Sequence, residues 1–182
     1  MDNAKNSLFC EHDLNLANHL SGLLHKVLFY HEVDGLPDMI LHELGHDNCF
    51  GLKKATYLVD NPDFDHLLGV AGFCKNECPY HKNDLWQNPY TFKNDMKKAQ
   101  YHNDVKNFLR DSLRRRDINL NDSEDVKELG VNLGIESPNY FSWNMKHGNH
   151  GLLIFEQGNR PINTWRRNFL ANIAALLSFC AI

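Results

Sequence analysis

The sequence predicts an α+β fold in which helices predominate, with a small antiparallel sheet or hairpin. Three observations support it. Leu16, Leu20, Leu23, Leu24, Val27, Leu28 and His31 recur at the spacing of one helical stripe, and a similar stripe returns beyond residue 100. Short runs of apolar and aromatic residues bounded by Asn, Pro and Gly read as strands. No internal repeat, low-complexity tract or flexible linker interrupts the 182 residues, a length that suits one domain with a single core, 1–182.

Taken in order, the first stripe predicts an amphipathic helix over residues 13–31. Asp34-Gly35 marks a turn, and Pro37 suits the first position of a second helix carrying Met39, Ile40 and Leu41. Residues 55–59 read as a strand ended by Asn61-Pro62, and 66–73 as either a buried strand or a helix. Polar, aromatic and proline residues over 75–93 predict a long irregular connection. Asn94 then caps a long helix whose buried stripe is Tyr101, Val105, Phe108, Leu109 and Leu113, with Arg114, Arg115 and Arg116 opposing the C-terminal dipole. A shorter helix is expected over 123–133. Residues 140–145 and 152–155 form two strands joined around a glycine turn at 147–151, and 164–181 form a closing helix.

The net charge of -4 gives no general electrostatic reason to expect nucleic acid or an anionic membrane surface as partner. The apolar stretch 169–182 is too short to span a bilayer and reads as a buried helix. The residues from Met1 to Asn6 do not form a secretory signal, and five cysteines, an odd number, fit reduced thiols or metal ligands. A cytoplasmic protein acting on a small-molecule or peptide substrate is therefore expected. No GxSxG, phosphate-loop or dinucleotide pattern is present, and neither acidic pair, Asp34-Gly35 or Asp47-Asn48, has calcium-loop spacing. Eleven histidines point instead to metal chemistry, because imidazole is a common ligand for zinc, copper and nickel.

The segment His42-Glu43-Leu44-Gly45-His46 concentrates that signal. In a continuous helix His42 and His46 share a face, where both imidazoles reach one tetrahedral ion. Glu43 projects about 100° round the axis, placed to hold a metal-bound water. The pentapeptide resembles the active-site helix of zincin metallopeptidases. That resemblance implies zinc or another divalent transition metal on His42 and His46, Glu43 as catalytic base, and hydrolysis of an amide or ester. The third ligand would come from Asp60, Asp63, Asp65, His66 or His81. A rival reading starts from His46-Asp47, which resembles the dyad of HD-domain phosphohydrolases. His19, His25 or His31 would then supply an earlier histidine, and Asp60, Asp63 or Asp65 a later aspartate.

A second cluster, Cys74, Cys78 and His81, with Cys10 and His12 as distant partners, has donors able to close a tetrahedral zinc site. It supports an alternative in which the protein is a non-enzymatic metal-binding or redox-sensing protein. His147 and His150 read as solvated turn residues. Lys106, Arg110 and Arg114 read as the solvated face of the long helix.

Overall fold

The computed structural model describes residues 11–77, 85–114, 124–159 and 162–179. It is α+β: among the described residues six helices, α1 (Glu11–Phe29), α2 (Leu36–Gly45), α3 (Pro89–Met96), α4 (Gln100–Lys106), α5 (Glu124–Asn132) and α6 (Thr164–Ala174), surround five strands. These are β1 (Lys54–Asn61), β2 (His66–Cys74), β3 (Leu109–Arg110), β4 (Asn139–Asn144) and β5 (His150–Glu156), ordered β3-β2-β1-β5-β4 with every pairing antiparallel. Among the described residues no helix is long and apolar enough to cross a membrane.

The sheet separates two apolar clusters by the period of a strand, whose side chains alternate between faces. Ala55, Tyr57, Val59, Leu153 and Phe155 face one cluster with α1, α2, α3 and α6. Leu58, Leu152 and Ile154 face the other with α4 and α5. On β2 the alternation is reset by a bulge: Leu58 pairs with Gly69 and Tyr57 with Ala71, leaving Val70 as the extra residue. Leu67 therefore faces the second cluster, while Ala71 and Phe73 face the first.

The predicted stripe on α1 is narrower than expected: Leu16, Leu20, Leu23 and Val27 are buried, whereas Leu24 and Leu28 are exposed. The ambiguous segment at 66–73 is strand. The long helix expected from Asn94 is the main departure. Pro89 starts α3 earlier, the helix stops at Met96, and Ala99 is extended before α4 begins. The Asn103 side chain donates to the Lys97 carbonyl at the break. Chain direction changes because α4 is drawn onto β2, where a Cβ at Gly69 would overlap the Val105 carbonyl and one at Gly72 would crowd Val105 and His102. Packing overrides the helical propensity of the connecting lysines. The basic row is broken in consequence: Lys106 ends α4, Arg110 lies on β3, and the Arg114 backbone N–H donates to Asp60.

The expected closing helix runs as α6 and then tightens into a 3₁₀ turn over Ala175–Phe179. Asn163 caps its start by accepting from the Arg166 N–H. The β4–β5 connection makes a 3₁₀ turn in which His147 adopts a left-handed conformation, φ 59°.

Candidate functional site

Helix α2 is buried along its whole length, although three of its ten residues are Asp38, His42 and Glu43. A buried ionisable group is costly unless neighbours satisfy it, so what surrounds these three side chains defines the chemistry available. Each has a different environment.

Glu43, at the C-terminal end, is 8% exposed. His19 Nε2 of α1 lies 2.8 Å from one carboxylate oxygen, and Lys26 Nζ lies 3.7 Å from the same atom. Trp86 Nε1 donates to the other oxygen at 3.0 Å, and Lys26 sits over the Trp86 ring. Burial alone would raise the carboxyl pKa, but the contacts from His19 and Trp86 and the charge of Lys26 outweigh it and hold the group at about 2. A carboxylate that weakly basic is a poor proton acceptor at neutral pH. Its geometry suits anchoring α1 and Trp86 to α2, rather than the general-base role expected from the motif.

The expected shared helix face for His42 and His46 does not form. The helix ends at Gly45, and His46 is its extended C-cap, with ψ 141°. The N–H of His46 returns to the Glu43 carbonyl, and Asn48 N–H donates to its Nδ1. The His42 ring packs edge-on between Phe73 and Phe92, each with a centroid distance of 4.9 Å. His46 instead lies near-parallel to His19, with centroids 6.5 Å apart. His19 is one of the three histidines that an HD-type arrangement would use. Its other partners lie elsewhere: Asp47 pairs with Lys75, and buried Asp60 accepts from the Arg114 N–H.

Asp65 and His66 lie at the β1–β2 turn, where Asp65 has φ 56° and accepts from the Ser112 N–H. Along β2 they are roughly 20 Å from Phe73, against which His42 packs, at about 3.3 Å per residue. They do not join His42. Cys74, half-buried, packs toward the second cluster, on the opposite face of the sheet from Phe73. Cys10, Cys78 and His81 lie outside the described residues. Among the described residues, no group of three or more His, Cys, Asp or Glu side chains is arranged to hold a metal ion. His19 and His46 stack with centroids 6.5 Å apart, and two imidazoles alone fall short of the four positions zinc prefers.

At the other end of α2, Asp38 is 4% exposed and meets His102 of α4, which is 6% exposed. Asp38 Oδ1 and His102 Nδ1 are 3.0 Å apart, with Lys106 Nζ 3.9 Å from Oδ2. The contact is close but off the hydrogen-bond line, and neither atom has another hydrogen-bond partner among the described residues. Such atoms call for a directed partner such as water or ligand. Both residues line a cleft of about 430 Å³ formed between the α1–α2 connection, α3 and α4. The pair bridges two helices that pack on opposite faces of the sheet, which is possible because β2 has no outer paired strand beyond Leu68 among the described residues.

Sequence reasoning missed this pair. Asp38 reads as an ordinary acid in a first helical turn, and His102 is inconspicuous beside Tyr101. The available signal was that His102 sits between Tyr101 and Val105, on the buried side of its helix, where an imidazole requires a polar neighbour.

No protein-family model and no curated protein matches this chain. The fold and site together define an α+β protein with a buried carboxylate–histidine pair lining a cleft.

Proposed function

We propose that the protein is a hydrolase of amide or ester bonds in which His102, oriented by Asp38, is the general base. The observation that carries this reading is the Asp38–His102 pair lining a cleft large enough for a small substrate. With Nδ1 turned toward Asp38, the imidazole keeps Nε2 to accept a proton from water as its oxygen bonds to the substrate carbonyl carbon. The same nitrogen returns that proton to the leaving nitrogen or oxygen as its bond to carbon breaks, yielding a carboxylic acid and an amine or alcohol. Lys106, 3.9 Å from Asp38, would offset negative charge developing on the carbonyl oxygen. Cys49 is not the nucleophile in this reading, because burial pushes its thiol far above the usual range.

Turnover of chromogenic esters and anilides tests the proposal. His102→Gln should lower kcat/KM at least about 100-fold, the lower range for loss of a general base, while the circular-dichroism spectrum stays that of the parent. Parent-like turnover in a folded His102→Gln protein would sink it.

A second reading, metal-dependent hydrolysis involving the HELGH segment, is favoured by the approach of His46 to His19. Elemental analysis of purified protein should then find zinc or another divalent metal that His19→Ala and His46→Ala each lose. Equal metal content in parent and variants would count against it.

A further inference from the structure

The walls of the Asp38–His102 cleft carry opposite charge. The α1–α2 connection contributes Glu32 and Asp34, while α3 and α4 contribute Lys93, Lys97 and Lys106. Between them the half-buried Val33 and Val70 supply apolar surface, above a floor of buried Phe92 and Met96. Three lysines facing the two acids of the rim and Asp38 leave no net excess of either sign, so the cleft does not have the field of a simple anion or cation site. The two signs come from opposite walls, which suits a ligand carrying both signs at its two ends.

Asp34 and Lys93 already meet across the cleft, with Nζ 2.9 Å from Oδ2. The Asp34 side chain is exposed and that of Lys93 half-exposed, and surface pairs of this kind contribute little to stability. The contact opens readily to an incoming ion pair. The hydrogen bond and charge of Lys93 keep the Asp34 carboxyl below its ordinary range, with a smaller contribution from Lys106, which also lies 3.9 Å from Asp38.

We infer that the cleft binds a zwitterionic α-amino acid derivative or short peptide, with its ammonium at Asp34 and Glu32 and its carboxylate at Lys93 and Lys97. The ligand exchanges one cross-cleft ion pair for two, and its apolar side chains pack on the half-buried Val33 and Val70. The choice of ligand rests on the cleft's being the site of hydrolysis only in that it places the scissile amide beside His102; the charge complementarity stands independently.

Isothermal calorimetry on the full chain with the dipeptide Leu-Leu and its N-acetylated and C-amidated forms tests this. The free dipeptide should bind, and each blocked form should bind at least about tenfold more weakly, the scale of one lost charge-assisted contact. Asp34→Asn should abolish discrimination against the acetylated form, and Lys93→Gln against the amidated form. Asp34 is exposed and the Lys93 side chain is half-exposed, so the variants should retain the parent fold. Equal binding of free and blocked dipeptides, or none by the free form, would overturn the inference. Charge-dependent binding without cleavage would leave it standing and remove the hydrolase reading alone. His102-dependent cleavage of neutral esters without preference for Leu-Leu would do the reverse.

Discussion

Replacing Gly69 with alanine is expected to destabilise the protein by about 3 kcal/mol or more, at the upper end for overpacking a close contact. A Cβ at this position would overlap the carbonyl oxygen and carbon of Val105 and press on Phe108 Cβ. The obstacle is backbone, so a rotamer change cannot relieve it. The Gly69 N–H also donates to the Phe108 carbonyl at 3.0 Å, fixing the same approach from the other side. Relief requires α4 to lift from β2, and α4 carries His102. Activity should therefore fall with stability. Gly22→Ala provides the contrast: nothing lies within 4 Å of a Cβ there, and the helix should gain about 0.5–1 kcal/mol. Urea unfolding of the two variants checks both; a Gly69→Ala protein as stable as its parent would show that α4 does not seat on β2 as described.

Glu43→Gln is expected to cost about 3 kcal/mol at pH 7, with the penalty shrinking as pH falls. Its carboxyl is held at about 2 in the folded protein, against an ordinary value of 4.5. A carboxyl depressed by folding contributes fully above the unfolded value, here above about pH 4.5, and loses that contribution as pH falls toward 2. The difference of roughly two and a half units corresponds to about 3 kcal/mol at about 1.36 kcal/mol per unit. Because the side chain is only 11% exposed, solvent screening removes little of it. Comparing urea midpoints of parent and variant at pH 7 and pH 3 isolates the effect from other carboxylates. A penalty independent of pH would mean that His19, Trp86 and Lys26 do not stabilise the charged form.

Local pattern made much of the fold legible. The stripe from Leu16 to Val27, the turn before Pro37, the strand at 55–59 and the paired strands around the glycine turn all arise from periodicity and turn chemistry acting within a few residues. The division of the expected long helix did not, because its cause is nonlocal: Gly69 and Gly72 open a place for α4 from some thirty positions upstream. The bulge at Val70 was equally hidden, since only the register against β1 defines it. For the candidate site, the HELGH segment lies on α2, the helix that also carries Asp38, but two of its properties depend on tertiary structure. The helix stops at Gly45 rather than continuing to His46, and Glu43 meets donors from α1 and Trp86. Asp38 and His102 carry no motif; separated by most of two helices, a hairpin and the long connection, they become a pair only by packing.

The central position of β1 also has a kinetic consequence. Its pairing with β2 closes across the short turn at Pro62–Asp65, whereas its pairing with β5 joins Lys54 to Glu156 and must close a loop of more than half the chain. Loop closure that long slows the approach to the native state, so the β1–β2 hairpin should be available well before the sheet is complete. During that interval β1 presents an apolar edge. A nascent chain would be at its most aggregation-prone after residues 54–74 have been made and before residues 150–156 arrive to cover them.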